Sequence, residues 1–115
     1  MKVTLVFELG NSILRLGIAG EPVPRTVVSL SDFPQLDRCI NGNFTEPDRI
    51  RKCYTEFFYH AFFELLQIKS RDCRVLIVEN FFTRRLHRNC LLTSLLKDLQ
   101  VVSANRALSP LFFSY

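Results

Sequence analysis

VTLVFELGNSILRLGIAGEPVPRTVVS, residues 3–29, carries two apolar runs, 3–7 and 13–19, on either side of the short turn Glu8-Leu9-Gly10-Asn11-Ser12. β-branched and aromatic residues flanking a Gly/Asn turn are a hairpin signal. A second punctuation, Gly20-Glu21-Pro22-Val23-Pro24, leads into a third apolar run at 26–30. The stretch therefore predicts three short strands, near 3–8, 12–19 and 25–30, in an antiparallel meander. Such a sheet exposes one apolar face, and the remainder of the chain must cover it.

The covering elements follow in order. Residues 31–43, SDFPQLDRCINGN, contain Pro34, Gly42 and two Asn, and read as an irregular connection. A helix is expected near 46–67, with Thr45 as N-cap, Pro47 in its first turn and Glu46 and Asp48 at the positive end of its dipole. Ile50, Cys53, Tyr54, Phe57, Phe58, Ala61, Phe62, Leu65 and Leu66 recur at helical spacing, and Tyr59 and Phe63 widen the stripe. That stripe is read as core packing, not as a ligand pocket. Val75-Leu76-Ile77-Val78 is apolar on both faces, which marks a central parallel strand near 75–79.

A second helix is expected near 84–99, beginning about Thr83, with Leu86, Cys90, Leu91, Leu95, Leu96 and Leu99 on its inner face. Arg84, Arg85, His87 and Arg88 crowd its first turns, where cations oppose the dipole, so an acidic neighbour is expected there. A last short strand is placed at 101–103, and the tail carries Leu111-Phe112-Phe113. The order β-β-β-α-β-α-β fits an α/β, ribonuclease-H-like core, with the crossover right-handed and the 75–79 strand parallel to the first.

Composition narrows the classes of function. The 115 residues make one domain, and 48% hydrophobic content with eleven Phe is ample for a core. No apolar run is long enough for a bilayer, and no leader pattern opens the chain, so a soluble, intracellular protein is expected. The net charge of +4 is modest and no basic-aromatic module stands out, so nucleic acid is not an expected partner. Cys39, Cys53, Cys73 and Cys90 form no CxxC pair, and His60 and His87 do not complete a metal-ligand spacing. Buried free thiols are expected, with no metal. The sequon Asn43-Phe44-Thr45 carries no weight without a secretory route.

VFELGNSILRLGIAGEPVPR at 6–25, the helix at 45–67, and RVLIVENFFTRRLHRNCLLTSLLKDLQVVS at 74–103 together resemble the N-terminal part of an actin-related protein, within the actin superfamily. The first stretch is the most specific: strand, acidic residue, Gly10, second strand, then Gly17-x-Ala19-Gly20 and Pro24-Arg25. The later matches rest on hydrophobic pattern plus Glu79. The resemblance implies an actin-like ATPase half-domain, truncated relative to a full actin. It also implies that the first hairpin turn corresponds to a phosphate loop, with Gly10, Asn11 and Ser12 as backbone donors. The family's first-strand aspartate falls on Glu8 and its second-strand lysine on Arg15. Both exchanges keep the charge and change the reach. The family's water-orienting glutamine falls on Ser109.

The family's second phosphate hairpin and adenosine pocket have no counterpart within residues 1–115. The expectation is therefore no enzymatic activity and no cofactor, with ATP and Mg²⁺ possible only in a longer form. The short connection at 31–43 stands where conventional actins carry a long insertion that grips the next filament subunit. That departure is similar to the divergent actin-related subunit at the pointed end of dynactin. It implies a cytoplasmic, cytoskeletal protein of dynein-based microtubule transport. The partners implied are the actin-related filament and pointed-end subunits of dynactin, with no membrane insertion. Arg84, Arg85, Arg88, Phe112 and Phe113 are the expected partner contacts. Two other readings share the pattern: a nucleotide-binding lobe of an actin, heat-shock or sugar-kinase type ATPase, and an actin-related subunit of a chromatin remodeller.

Overall fold

The structure, a computed structural model, describes residues 2–10, 12–42, 44–79 and 84–107. Strands β1 (Val3–Leu9), β2 (Ile13–Ile18) and β3 (Thr26–Ser29) form the meander that the apolar runs predict. Helices α1 (Pro34–Asn41) and α2 (Pro47–His60) carry the chain across to β4 (Cys73–Glu79). Helix α3 (Arg85–Thr93) then leads to β5 (Ser103–Ala107). The result is a mixed α/β domain with a five-stranded mixed sheet in the order β3-β2-β1-β4-β5. β1 pairs antiparallel with β2 and parallel with β4, and β4 pairs parallel with β5.

Alternation along the strands sends Leu5, Phe7, Leu14, Leu16, Val75 and Ile77 to one face. There they meet Leu36 of α1, Phe58 of α2 and Leu91 of α3 in one core. Phe7 stacks on Phe58 at 5.3 Å between centroids and meets Phe62 edge-on at 5.7 Å. The other face holds a second, smaller cluster of Val6 and Val78 with Ala19 and Leu76 against it. No helix among the described residues is long and apolar enough to cross a membrane.

Several expectations are corrected. The connection at 31–43 contains α1, because Pro34 sits at the first helical position, where its missing N–H costs nothing. Leu36 and Cys39, one turn apart, face the core. Gly42 ends this helix with its amide on the Arg38 carbonyl, and a Cβ there would overlap that oxygen. Thr45 does not cap α2. Glu46 holds the cap position in extended backbone, as a residue before proline does, and its side chain makes no cap bond. The last strand starts at Ser103, two residues later than expected for its start, because Val101 is drawn into the core and Val102 bonds its amide to the Cys73 carbonyl at 2.8 Å.

Helices α2 and α3 end alike. Each widens into a π-helical stretch, Ala61–Leu66 and Ser94–Asp98. Each is then closed just beyond that stretch by a left-handed glutamine, Gln67 at φ 55° and Gln100 at φ 57°. The following amides fold back, Ile68 onto the Phe62 carbonyl at 2.9 Å and Val101 onto that of Leu95 at 3.1 Å. Glycine normally fills such a position. The expected inner-face residue Leu96 lies on the outside, as do Tyr59 and Phe63. The two rings stack on each other at 5.7 Å instead of widening the core stripe.

Three stability outcomes follow from this packing and backbone geometry. Phe58→Ala removes a fully buried ring and is expected to lower unfolding free energy by about 3–5 kcal/mol in urea titrations. Phe63→Ala, at a ring 51% exposed, is expected to change it by less than about 1 kcal/mol. Gln100→Gly relieves the left-handed penalty and is expected to raise stability by about 0.5–1 kcal/mol in the same assay.

Candidate functional site

The hairpin turn between β1 and β2 brings together most of the residues matched to a phosphate loop. The Gly10 amide donates to the Ile13 carbonyl at 3.1 Å and closes the turn. A Cβ on Gly10 would come within 2.8 Å of that same oxygen, so glycine is required by the close approach of the two strands. Ser12 is exposed, and its carbonyl accepts the Leu30 amide at 2.9 Å. Asn11 lies outside the described residues. Glu8 and Arg15 are direct cross-strand neighbours, and their side chains form an ion pair at 3.5 Å. They project to the sheet face that carries Val6 and Val78. Glu79 closes β4 in register with Leu9.

The second candidate surface lies where α3 begins, beyond the end of β4 that is in register with Leu9 of β1. Arg84 precedes α3 and Arg85 begins it, with no acidic residue in the first turn. Both are exposed. Among the described residues no acidic side chain lies at ion-pair distance from Arg84. Its guanidinium donates to the Gly42 carbonyl at 3.2 Å and to His87 Nε2 at 2.9 Å. Phe112, Phe113 and Ser109 lie outside the described residues.

His87, counted with the basic turn from sequence, is buried at 3% exposure. Because a guanidinium only donates, Nε2 accepts and the ring proton sits on Nδ1, 3.4 Å from the Tyr54 hydroxyl. Burial and then the Arg84 charge hold the imidazole below its ordinary pKa, with a backbone bond to Phe44 pulling the other way.

The four thiols are free and buried. Burial first, then the neighbouring thiols of Cys53 and Cys90, push Cys39 up to about 12. Burial pushes Cys73 up to about 11. At neutral pH these are poor nucleophiles. Among the described residues, no group of three or more His, Cys, Asp or Glu side chains is placed to hold a metal ion.

A polar tie between α2 and the end of α3 was not anticipated from sequence. Arg51 grips Asp98 with two bonds, 2.8 and 2.7 Å. Thr55 donates to Asp98 at 2.8 Å and accepts from Ser94 at 2.6 Å. Arg51 and its hydrogen bonds hold the Asp98 carboxyl below its usual range. The partners are 39 to 47 residues apart, so no local spacing signals them. No family model matches the chain.

The buried histidine fixes the sign of a pH dependence. Its folded pKa lies below the unfolded value of 6.5, so acidification protonates the unfolded chain first. The contribution of His87 to stability is therefore fully present above pH 6.5 and is lost as pH drops from there through the folded pKa. Urea midpoints measured across this range should show the decline, and His87→Gln should flatten it whatever its absolute stability.

Proposed function

We propose that this chain is a non-catalytic, actin-related structural protein with a ribonuclease-H-like core, acting at the pointed end of the dynactin filament in dynein-based transport. On this reading it works in the cytoplasm, on the cytoskeleton. The observation that carries the reading is the passage from β3 to α2. One turn, Leu30–Asp32, and the eight-residue α1 fill it. In conventional actins this position holds the insertion that grips the next subunit. A subunit without that grip docks on a filament end through its other faces and offers nothing for another subunit to hold, so growth stops.

Two features of the first turn support a structural role over nucleotide chemistry. The Gly10 amide is engaged by Ile13 and does not point at a ligand. The Glu8 carboxylate is partly neutralised by Arg15, which weakens both as a metal-water anchor and a phosphate contact. The parallel β1–β4–β5 order beside an antiparallel hairpin agrees with an actin-like core. The partner face on this reading includes Arg84, Arg85 and Arg88, with Phe112 and Phe113 of the tail.

The purified chain, immobilised and offered the isolated dynactin filament with its pointed-end subunits, should retain them. Failure of both to associate would remove the proposal. In parallel, millimolar Mg·ATP should leave the melting temperature unchanged. A ligand present at ~100 times its Kd adds about 2.7 kcal/mol to the native state, so a clear rise would favour the nucleotide-binding lobe instead.

A further inference from the structure

We infer that the seam where α1 ends and α2 and α3 begin is a docking surface for an acidic polypeptide segment. The inference deepens the partner-contact reading of the Arg84–Arg88 turn and rests on it, but not on the identity of the partner.

The seam is built by contacts between three elements. Arg84 donates to the carbonyl of Gly42, whose own amide is held by Arg38 in the last turn of α1. Cys90 of α3 points its thiol at the Pro47 carbonyl at the start of α2, 3.5 Å away. Arg49, in the first turn of α2, lies 3.8 Å over the Phe44 ring. Arg38, Arg49, Arg84 and Arg85 are all exposed. Among the described residues none of these four has a carboxylate at ion-pair distance, whereas Arg15, Arg25 and Arg51 each do.

The arrangement favours a carboxylate ligand on a polypeptide. Arg49 is flattened on an aromatic face, and Arg84 is fixed by two bonds, so both forks are partly ordered before any partner arrives. A planar fork suits bidentate binding of carboxylate. Asp37 of α1 and Glu46 and Asp48 at the start of α2 interleave with these arginines. They repel a uniform polyanion such as nucleic acid or an anionic bilayer. A peptide can place its acids at the arginines and neutral or basic residues at the carboxylates.

The test uses the full 115-residue chain and a short, fluorescein-labelled, Glu-rich peptide, read by anisotropy at low and near-physiological salt. Binding should weaken with salt, and Arg49→Glu with Arg85→Glu should weaken it by at least about tenfold. The same double variant should gain affinity for a Lys-rich peptide. Lys69→Glu with Arg71→Glu makes the same change in net charge at the opposite end of β4, about 20 Å away by the rise of a strand, and should leave binding near wild type. Circular dichroism of both variants controls for folding. The inference is overturned if the wild-type chain does not prefer the Glu-rich peptide to a neutral one. It is equally overturned if both double variants lose binding alike, or if heparin or phosphatidylserine vesicles bind more tightly through the same arginines. Because the probe is synthetic, failure here is distinct from failure of the dynactin pull-down.

Discussion

The parallel pairing of β1 with β4 constrains everything else in this molecule. It runs over seven residue pairs, from Val3 opposite Cys73 to Leu9 opposite Glu79. Parallel neighbours cannot be joined by a tight turn, so the chain must leave the sheet after β3 and return through a covered crossover. Helices α1 and α2 are that crossover, and the ring of Phe58 against Phe7 fastens it to the sheet. A slip of one residue in the β1–β4 register would turn Val75 and Ile77 away from the helices and expose them. The register is thus set by burial, and the helices by the need to bury it.

That dependence explains which parts of the fold are legible in the sequence. β1, β2 and β4 are internal to the sheet, and each carries an apolar signature strong enough to read. The α2 stripe is legible because its aromatics fall at helical spacing on one side. Edge strand β5, SANRA, has little apolar content, and its place follows from pairing with β4. Pro34 reads as a breaker from sequence and acts as a starter in the fold, since only its position relative to Leu36 and Cys39 separates the two roles. Tyr59 and Phe63 carry the same hydrophobic signal as their buried neighbours, yet stack on one another outside the core. The left-handed glutamines have no sequence signature, because glycine is the usual signal there.

The candidate sites divide along a similar line. The opposite charges of Glu8 and Arg15 are visible in the sequence, but their pairing appears only when the β1–β2 register sets them across from each other. The engagement of the Gly10 amide depends on that same register. The Arg51–Asp98 tie joins segments that meet only after α3 has packed on α2. His87 reads as one more cation in a basic turn, until burial beside Tyr54 and a donating Arg84 make it a neutral acceptor.

Charge placement separates the two surfaces further. At the β1–β2 turn one carboxylate faces one guanidinium, and the local field largely cancels. At the α1–α2–α3 seam Arg84 and Arg85 stand at the positive end of α3, so the helix dipole adds to their field instead of relieving it. Among the described residues the partners of Arg84 are neutral acceptors, a carbonyl and an imidazole, which order the guanidinium without neutralising it. Such an arrangement costs the isolated domain a few tenths of a kcal/mol or more per cation. An external carboxylate would recover that cost on binding. The electrostatic asymmetry of the described residues therefore lies at the α1–α2–α3 seam and not with the turn that the actin resemblance equates with a phosphate loop.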